Sequence, residues 1–209
     1  MQCLFGSFND HKHGELQQIL PGLAIGHPKA LGMKEDQAFE ETGTTFFQNA
    51  LGKAKHLWEL RESLGLPGVP ILADDSGINV KALGGKPGIY SARFGGEEGV
   101  SSDTQRNHYL LSLLVGVQDR AAHYTCCMVL YQGEDRFLAS QETWEGRIAT
   151  ELSAGTTGFG YDPLFYLPEQ GCTVAEIPET LKARISHRAK ALLALEGNLK
   201  ALPELEIPS

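Results

Sequence analysis

A short apolar run that ends in two carboxylates constrains the fold of this chain more than any other segment. Val69-Pro70-Ile71-Leu72-Ala73 has the length and composition of a buried strand, and Asp74-Asp75-Ser76-Gly77 follows it directly. Carboxylates are costly to bury without a cation, so the pair predicts a metal site or a hydrogen-bonded turn at the C-terminal end of the strand. In open α/β sheets, ligands bind at that edge.

Strand-like and helix-like segments alternate in the first half of the chain, and a hairpin is inserted in the second half. The predicted strands cover residues 2–6, 23–25, 69–73, 123–131 and 136–145, with a hairpin turn at Gln132–Asp135. The predicted helices cover 12–20, 45–64 with Gly65 as its C-cap, 104–115, and a last helix from Leu181 or Ser186 to Leu202. The buried stripe predicted for this last helix is Ile185, Ala189, Leu192, Leu193 and Leu199. This order predicts an α/β fold with a mixed sheet.

Bulk properties fit one globular domain and exclude some classes of function. The chain has 209 residues and a formal charge of -8, which argues against a nucleic-acid polymer as partner. There is no apolar run of about 18 residues, so we expect no membrane partner. The first residues also lack the pattern of a signal peptide. The 4 cysteines form no C-x-x-C pair, and reduced thiols in a cytoplasmic protein are the simplest interpretation.

Two segments and one lysine carry residue types that suit a phosphate-bearing ligand and a metal. Ser7-Phe8-Asn9-Asp10-His11-Lys12 joins a strand to a helix, where free backbone N–H groups and Lys12 attract phosphate. The alternative is an ordinary turn in which Asn9 or Asp10 is the N-cap. Glu40-Glu41 precedes a helix and can share a divalent cation with Asp75, or can simply complement the helix dipole. Lys53 can face the same site or remain a solvated lysine.

Two later segments suit a purine base. In Thr157-Gly158-Phe159-Gly160-Tyr161-Asp162-Pro163, the glycines allow close approach to a ligand, the aromatic ring offers a stacking surface, and Asp162 can accept hydrogen bonds. Lys182 and Ser186-His187-Arg188 lie near the start of the predicted last helix, where the dipole disfavours cations and an anionic or carbonyl-bearing partner is indicated. The alternatives are a core aromatic residue and exposed basic side chains.

In this order, four motifs resemble the inosine triphosphate pyrophosphatase family, the HAM1/RdgB-like non-canonical purine NTP pyrophosphatases. The motifs are Ala73-Asp74-Asp75-Ser76-Gly77, Leu83-Gly84-Gly85-x-Pro87-Gly88-Ile89-Tyr90-Ser91-Ala92-Arg93, Gly158-Phe159-Gly160-Tyr161-Asp162-Pro163 and Ser186-His187-Arg188. The similarity extends from about Ser7 to Leu199, and four matches in one order are far more specific than one.

The resemblance implies a single domain over residues 1–209, with a mixed α/β sheet in two lobes flanking a central nucleotide-binding cleft, and a homodimer. It implies Mg²⁺-dependent hydrolysis of ITP, dITP and XTP to the monophosphate and pyrophosphate. The implied phosphate-binding residues are Ser7, Phe8, Asn9, Asp10, His11, Lys12, Lys53 and Ser76. Glu40 and Asp75, with Glu41 as their neighbour, are the implied metal ligands, and Asp75 is also the implied general base. Phe159, Gly160, Tyr161, Asp162, Lys182, His187 and Arg188 are implied to contact the purine.

One departure from the family pattern concerns Phe8. The first motif of the family commonly reads Thr-Gly-Asn or Thr-His-Asn, whereas this chain has Ser7-Phe8-Asn9. The phenylalanine can narrow the phosphate pocket or point into the core. Two other functions stay open: a Maf-like pyrophosphatase of other modified nucleotides, and a catalytically silent nucleotide-binding protein.

Overall fold

The computed structural model describes residues 2–134 and 136–201. Within these residues, seven strands form one sheet in the order β2-β1-β3-β4-β5-β6-β7. The strands are β1 Gln2–Phe5, β2 Ala24–Gly26, β3 Ile71–Val80, β4 Ala121–Tyr131, β5 Phe137–Ile148, β6 Phe165–Leu167 and β7 Cys172–Thr173. The α-helices are α1 Asp10–Ile19, α2 Phe46–Leu60, α3 Asp103–Leu113, α4 Glu179–Ile185 and α5 His187–Ala201. None of the helices in the described part of the chain is long and apolar enough to cross a bilayer.

The sheet mixes parallel and antiparallel pairs. β1 pairs in parallel with both β2 and β3, whereas β5 with β6 and β6 with β7 are antiparallel. The β1–α1–β2 unit is a crossover connection of the kind that parallel strands require. The predicted mixed α/β fold is therefore confirmed.

The described residues divide into two compact units. The first contains the chain up to Asp75, Cys126–Glu142 and the residues from Arg188 onward. The second contains Ser76–Thr125 and Thr143–His187. Each unit has its own buried core.

In the first unit, alternate residues of the strands face opposite sides of the sheet. Cys3, Phe5, Leu72, Cys126, Met128 and Leu130 share one core cluster with Leu16 of α1 and with Ala191, Leu192 and Leu195 of α5. The residues between them share another cluster with α2, namely Leu4, Ile71, Ala73, Cys127, Val129 and Tyr131 with Ala50, Ala54 and Leu57. Because side chains alternate with a period of two along a strand, α1 and α5 cover one face and α2 covers the other.

The core of the second unit is rich in aromatic side chains. Leu110 of α3 packs with residues of four strands, which are Ile78, Tyr124, Trp144 and Phe165. The short strands β6 and β7, which the sequence did not predict, contribute to this core through Phe165 and Leu167 and through the partly buried Cys172.

The prediction that the strand before Asp74 ends at Ala73 is wrong. β3 continues through Asp74 and Asp75 to Val80, so Ser76 and Gly77 are strand residues and not a turn. Gly77 is needed for a different reason, since a Cβ there would lie 2.2 Å from the carbonyl oxygen of Gly88. β1 stops at Phe5, which is opposite Leu72, so the two carboxylates lie just beyond the C-terminal end of a parallel neighbour.

Two predicted helices also differ from the structure. α2 ends at Leu60 and not at residue 64, and Gly65, with φ +73°, belongs to the turn that follows. For the last helix, the predicted start at Ser186 agrees with α5, which begins at His187, whereas Leu181 belongs to the separate helix α4, which ends before Ser186 and its extended backbone angles. Leu193 is 44% exposed and is not part of the buried stripe. Leu202, the side chain of Leu199, and Asp135 of the hairpin turn lie outside the described residues.

Candidate functional site

Asp74 and Asp75 point to opposite faces of β3. Asp74 has the parity of Leu72, which faces α1 and α5, whereas Asp75 has the parity of Ala73, which faces α2. The contacts agree with this alternation, because Asp74 contacts side chains of α1 and α5 and Asp75 contacts side chains of α2. The doublet is therefore not a pair of ligands aimed at one point, and each carboxylate requires its own explanation.

Asp74 is the centre of a buried ionic group on the side of α1 and α5. Its carboxylate accepts hydrogen bonds from Lys12 Nζ, at 3.0 Å and 3.2 Å, and from Arg188 Nη2 at 3.2 Å. Arg188 also forms an ion pair with Glu15 of α1. Burial by itself raises the pKa of Asp74, but the charges of Lys12, Arg188 and Lys53 outweigh it and hold the pKa well below its usual range. Asp74 is therefore a permanent anion that holds two cations in place.

Asp75 is the centre of a second group, on the side of α2. Lys53 Nζ donates to Asp75 Oδ1 at 2.9 Å and pairs with Glu41 Oε1 at 2.5 Å, while Asn49 Nδ2 donates to Asp75 Oδ2 at 3.1 Å. Burial raises the pKa of Asp75 above its ordinary value, despite the opposing charges of Lys53 and Lys12. Burial lowers the pKa of Lys53, but Asp75 and Glu41 outweigh it and the net shift is upward. A carboxylate with a raised pKa is a better proton acceptor than an ordinary one.

The turn between β1 and α1 adopts the N-cap arrangement that was one alternative for it. Asn9 Oδ1 accepts from the N–H of Lys12 at 3.0 Å, and Ser7 Oγ accepts from the N–H of Asn9 at 3.2 Å. Asp10 and His11 are exposed, and Asp10 forms an ion pair with Lys29 at 2.8 Å. The partly buried Phe8 packs against the core cluster on the side of α2, which favours the core alternative for its ring.

In the second unit, Phe159 and Asp162 are joined by short contacts. Asp162 Oδ2 accepts from the N–H of Phe159 at 2.9 Å and from Lys182 Nζ at 2.6 Å, and Tyr124 donates to Asp162 Oδ1 at 3.3 Å. Lys182 Nζ lies 5.0 Å from the centre of the half-buried Phe159 ring. Gly158 has φ +79°, and a Cβ there would lie 2.1 Å from Asp162 Oδ2, so the turn requires glycine at this position.

His187 belongs to an aromatic group in the second unit. Its buried ring stacks on Tyr124, with the centroids 4.6 Å apart and the planes at 6°, and lies 6.2 Å from Trp144. Tyr124 and Trp144 were not predicted as neighbours of His187, and the only signal for them in the sequence is that each lies on a predicted strand. Arg188, which follows His187 in the chain, directs its guanidinium to Asp74 and Glu15.

The predicted metal ligands divide into one exposed carboxylate and two carboxylates that share a lysine. Glu40 is exposed, whereas Glu41 and Asp75 both contact the ammonium group of Lys53. Within residues 2–134 and 136–201, no group of three or more His, Cys, Asp or Glu side chains is arranged to hold a metal ion. A sparse donor set still fits Mg²⁺, because this ion takes one or two carboxylates together with substrate phosphates and water. Two oxygen donors that already share a cation meet that requirement.

Comparisons with known proteins identify relatives of this chain. The sequence model of the Ham1 family matches residues 3–197. The dITP/XTP pyrophosphatase of Treponema denticola is 45% identical over 202 residues, which cover 96% of this chain and 99% of the relative. The dITP/XTP pyrophosphatase of Erwinia tasmaniensis is 42% identical over 205 residues, covering 95% and 94%. Among solved structures, a HAM1 protein from Coxiella burnetii has a TM-score of 0.81 and 34% identity, covering 97% of this chain and 100% of that one.

Proposed function

The chain belongs to the Ham1 family, and we propose that it hydrolyses the non-canonical purine nucleoside triphosphates ITP, dITP and XTP to the monophosphate and pyrophosphate. The observation that carries this proposal is the buried group around Asp75, in which a carboxylate with a raised pKa is held by Lys53 and Asn49. This arrangement suits a base that activates water, and the names of the relatives indicate the substrate class.

We assign the phosphates to the first unit. The turn from Ser7 to Lys12 supplies N–H groups at the start of α1, and the ammonium groups of Lys12 and Lys53 supply positive charge. Asp74 holds Lys12 at 3.0 Å, so the cation is already in place before the substrate binds. Preorganised charge of this kind stabilises the negative charge that develops on the leaving pyrophosphate. Ser76, the residue after Asp75, is the remaining proposed phosphate contact.

We assign Mg²⁺ to Asp75 together with one carboxylate of Glu40-Glu41. When bound, the ion would neutralise phosphate charge and polarise the bond to the leaving group. Glu41 is favoured over Glu40 by its shared contact with Lys53. Glu41→Gln should then raise the Mg²⁺ concentration needed for half-maximal rate at least about tenfold, and Glu40→Gln serves as the matched control. The reverse result would assign the ligand to Glu40.

In the proposed reaction, water attacks the α-phosphorus while Asp75 takes up its proton. The bond from the α-phosphorus to the bridging oxygen breaks, and pyrophosphate leaves. Asn49 fixes one oxygen of Asp75 and Lys53 fixes the other, so the carboxylate is oriented before the reaction. A positioned base of this kind contributes about 10²–10⁴-fold in rate.

We assign the purine to the second unit. The half-buried Phe159 ring is the proposed stacking surface, and base–aromatic stacking contributes about 1–3 kcal/mol. Lys182 and His187 are the proposed donors to the 6-oxo group of hypoxanthine or xanthine, with Asp162 as an acceptor. The 6-amino group of adenine would oppose these donors, and such mismatches can reduce kcat/KM by about 10⁴-fold. Arg188 is a further proposed donor to the purine, and its guanidinium also helps to keep Asp74 ionised.

A pyrophosphate-release assay tests the function directly. ITP, XTP, dITP, GTP, ATP and dTTP are each supplied with and without Mg²⁺, and we expect rapid release from the first three only when Mg²⁺ is present. Preference for dTTP or another pyrimidine would favour a Maf-like activity. No release from any substrate would leave a silent nucleotide-binding protein.

We also propose that the chain acts in the cytoplasm as a homodimer, with neither nucleic acid nor membrane as a partner. The 4 cysteines are unpaired thiols, as expected in a reducing compartment, and the net charge of -8 opposes binding to nucleic acid. The homodimer follows from the family resemblance alone, and light scattering on the purified chain tests it.

A further inference from the structure

Helix α3 holds the backbone of Gly160 from both sides of the residue. Asp103 Oδ2 accepts a hydrogen bond from the N–H of Gly160 at 2.8 Å, and Asn107 Nδ2 donates to the carbonyl oxygen of Gly160 at 2.9 Å. Asp103 and Asn107 are four positions apart, so they lie on the same face of the helix. One short stretch of helix thus satisfies both polar groups of a single loop residue.

Gly160 lies inside the turn that presents Phe159 and Asp162. The turn is closed by two hydrogen bonds, from the N–H of Phe159 to Asp162 Oδ2 at 2.9 Å and from the N–H of Asp162 to the carbonyl of Phe159 at 3.2 Å. Gly160 has φ +63°, a conformation that glycine adopts readily and that neighbouring contacts must maintain. The orientation of the Phe159 ring therefore depends on how firmly Gly160 is held.

The amide donor of Asn107 explains why a polar residue occupies this buried position. Its side chain is 2% exposed, and its Oδ1 has no hydrogen-bond partner among the described residues. An unsatisfied buried carbonyl is unfavourable, so an apolar residue would fit this position better if packing were its only role. The bond from Nδ2 to Gly160 is the contact that requires asparagine here.

We propose that Asp103 and Asn107 are positioning residues that set the purine-stacking surface through Gly160. This inference rests on the proposed function, because it assigns a role to side chains that act on the Phe159 turn and do not touch the substrate. A stacked base is bound alike in the ground state and the transition state. Loss of either hydrogen bond to Gly160 should therefore raise KM and leave kcat nearly unchanged.

The test compares two variants that each remove one hydrogen bond to Gly160 with two variants that retain both bonds. Asn107→Ala removes the donor to the Gly160 carbonyl, and Asp103→Ala removes the acceptor for the Gly160 N–H. Asp103→Asn keeps an acceptor oxygen at the same place. Arg106→Ala removes the 2.5 Å ion pair between Arg106 and Asp103 but touches neither bond to Gly160. ITP and XTP kinetics, Tm, and amide hydrogen exchange at Gly160 are measured for each variant.

We expect Asn107→Ala and Asp103→Ala to raise KM for ITP about 5–10-fold, the loss of roughly one hydrogen bond, with kcat within about twofold of the wild type. Exchange at Gly160 should become faster in both, whereas Asp103→Asn and Arg106→Ala should resemble the wild type. A lower Tm with unchanged KM and kcat would show a purely structural role and overturn the inference. A fall in kcat at constant KM would overturn it as well. If the wild-type chain releases no pyrophosphate from ITP or XTP, the proposed function fails first and the inference fails with it.

Discussion

Replacing Asp74 and Asp75 separately by asparagine should show that the first substitution mainly lowers Tm and the second mainly lowers kcat. Asp74 is 0% exposed and accepts hydrogen bonds from Lys12 and Arg188, so Asp74→Asn removes the anion that these two cations share, and among the described residues only Arg188 keeps a second partner, Glu15. Removing one partner of a buried ion pair costs about 3–5 kcal/mol. At about 2–4 °C per kcal/mol for a chain of this size, Tm should fall by about 6–20 °C.

Asp75→Asn should have the opposite profile. Burial already opposes the charge of Asp75, as its raised pKa indicates, so neutralising this side chain should lower Tm by much less. The loss of the proton acceptor should reduce kcat for ITP by at least about 10²-fold. Asp74→Asn, assayed well below its own Tm, should lose less of the rate than Asp75→Asn, because it loosens the Lys12 ammonium but leaves the proton acceptor in place.

Thermal unfolding followed by circular dichroism, together with pyrophosphate release at 25 °C or below, measures both effects on the same samples. The dependence of Tm on pH is a further check on the role of Asp74. Because the pKa of folded Asp74 is depressed, its stabilisation is present above the unfolded carboxyl pKa of about 3.9 and is lost as the pH falls toward the folded value. The difference in Tm between the wild type and Asp74→Asn should therefore narrow in acid. An Asp75→Asn protein that unfolds as early as Asp74→Asn, or an Asp74→Asn protein with wild-type Tm, would refute the division of roles.

The contacts of Asp75, Lys53 and Phe8 each determine a measurable property. Because burial raises the pKa of Asp75, kcat/KM for ITP should fall on the acid side through a pKa above about 3.9, which a pH–rate profile measures. Lys53→Met leaves Asp75 and Glu41 without their shared cation, so the acid limb should move to higher pH, and an unmoved limb would contradict the assignment. Phe8→Ala removes a half-buried ring from the core and should cost about 2 kcal/mol in urea unfolding, with KM for ITP within about twofold; a several-fold change in KM would instead place the ring in the phosphate site.

The local motifs made the positions of most elements predictable. The capped turn at Asn9, the hairpin of β4 and β5, and helix α3 were all indicated by neighbouring residues in the sequence. These features depend on interactions within a few residues of one another, which is where pattern and propensity are informative. The sequence also indicated that Lys53 could face the same site as Asp75, and the two side chains are in contact in the structure.

The pairing of charges could not be predicted in the same way. Arg188 and Glu15 are 173 positions apart, and nothing near either residue indicates its partner. The end of β3 was misjudged because Ser76-Gly77 has the composition of a turn, although Gly77 is required by the approach of the Gly88 backbone. β6 and β7 have three and two residues, which is too short for an alternating pattern to be recognised.

The alternation of side chains between the two faces of β3 has a consequence for how this protein can evolve. Two adjacent codons specify carboxylates that depend on different helices, since Asp74 relies on α1 and α5 and Asp75 on α2. Substitutions that weaken the hold of α1 and α5 on Asp74 therefore lower thermal tolerance more than changes around Asp75 do, and substitutions of the α2 side chains that hold Asp75 bear mainly on turnover. Selection can adjust these two traits separately, although the residues at their centres are joined by a single peptide bond.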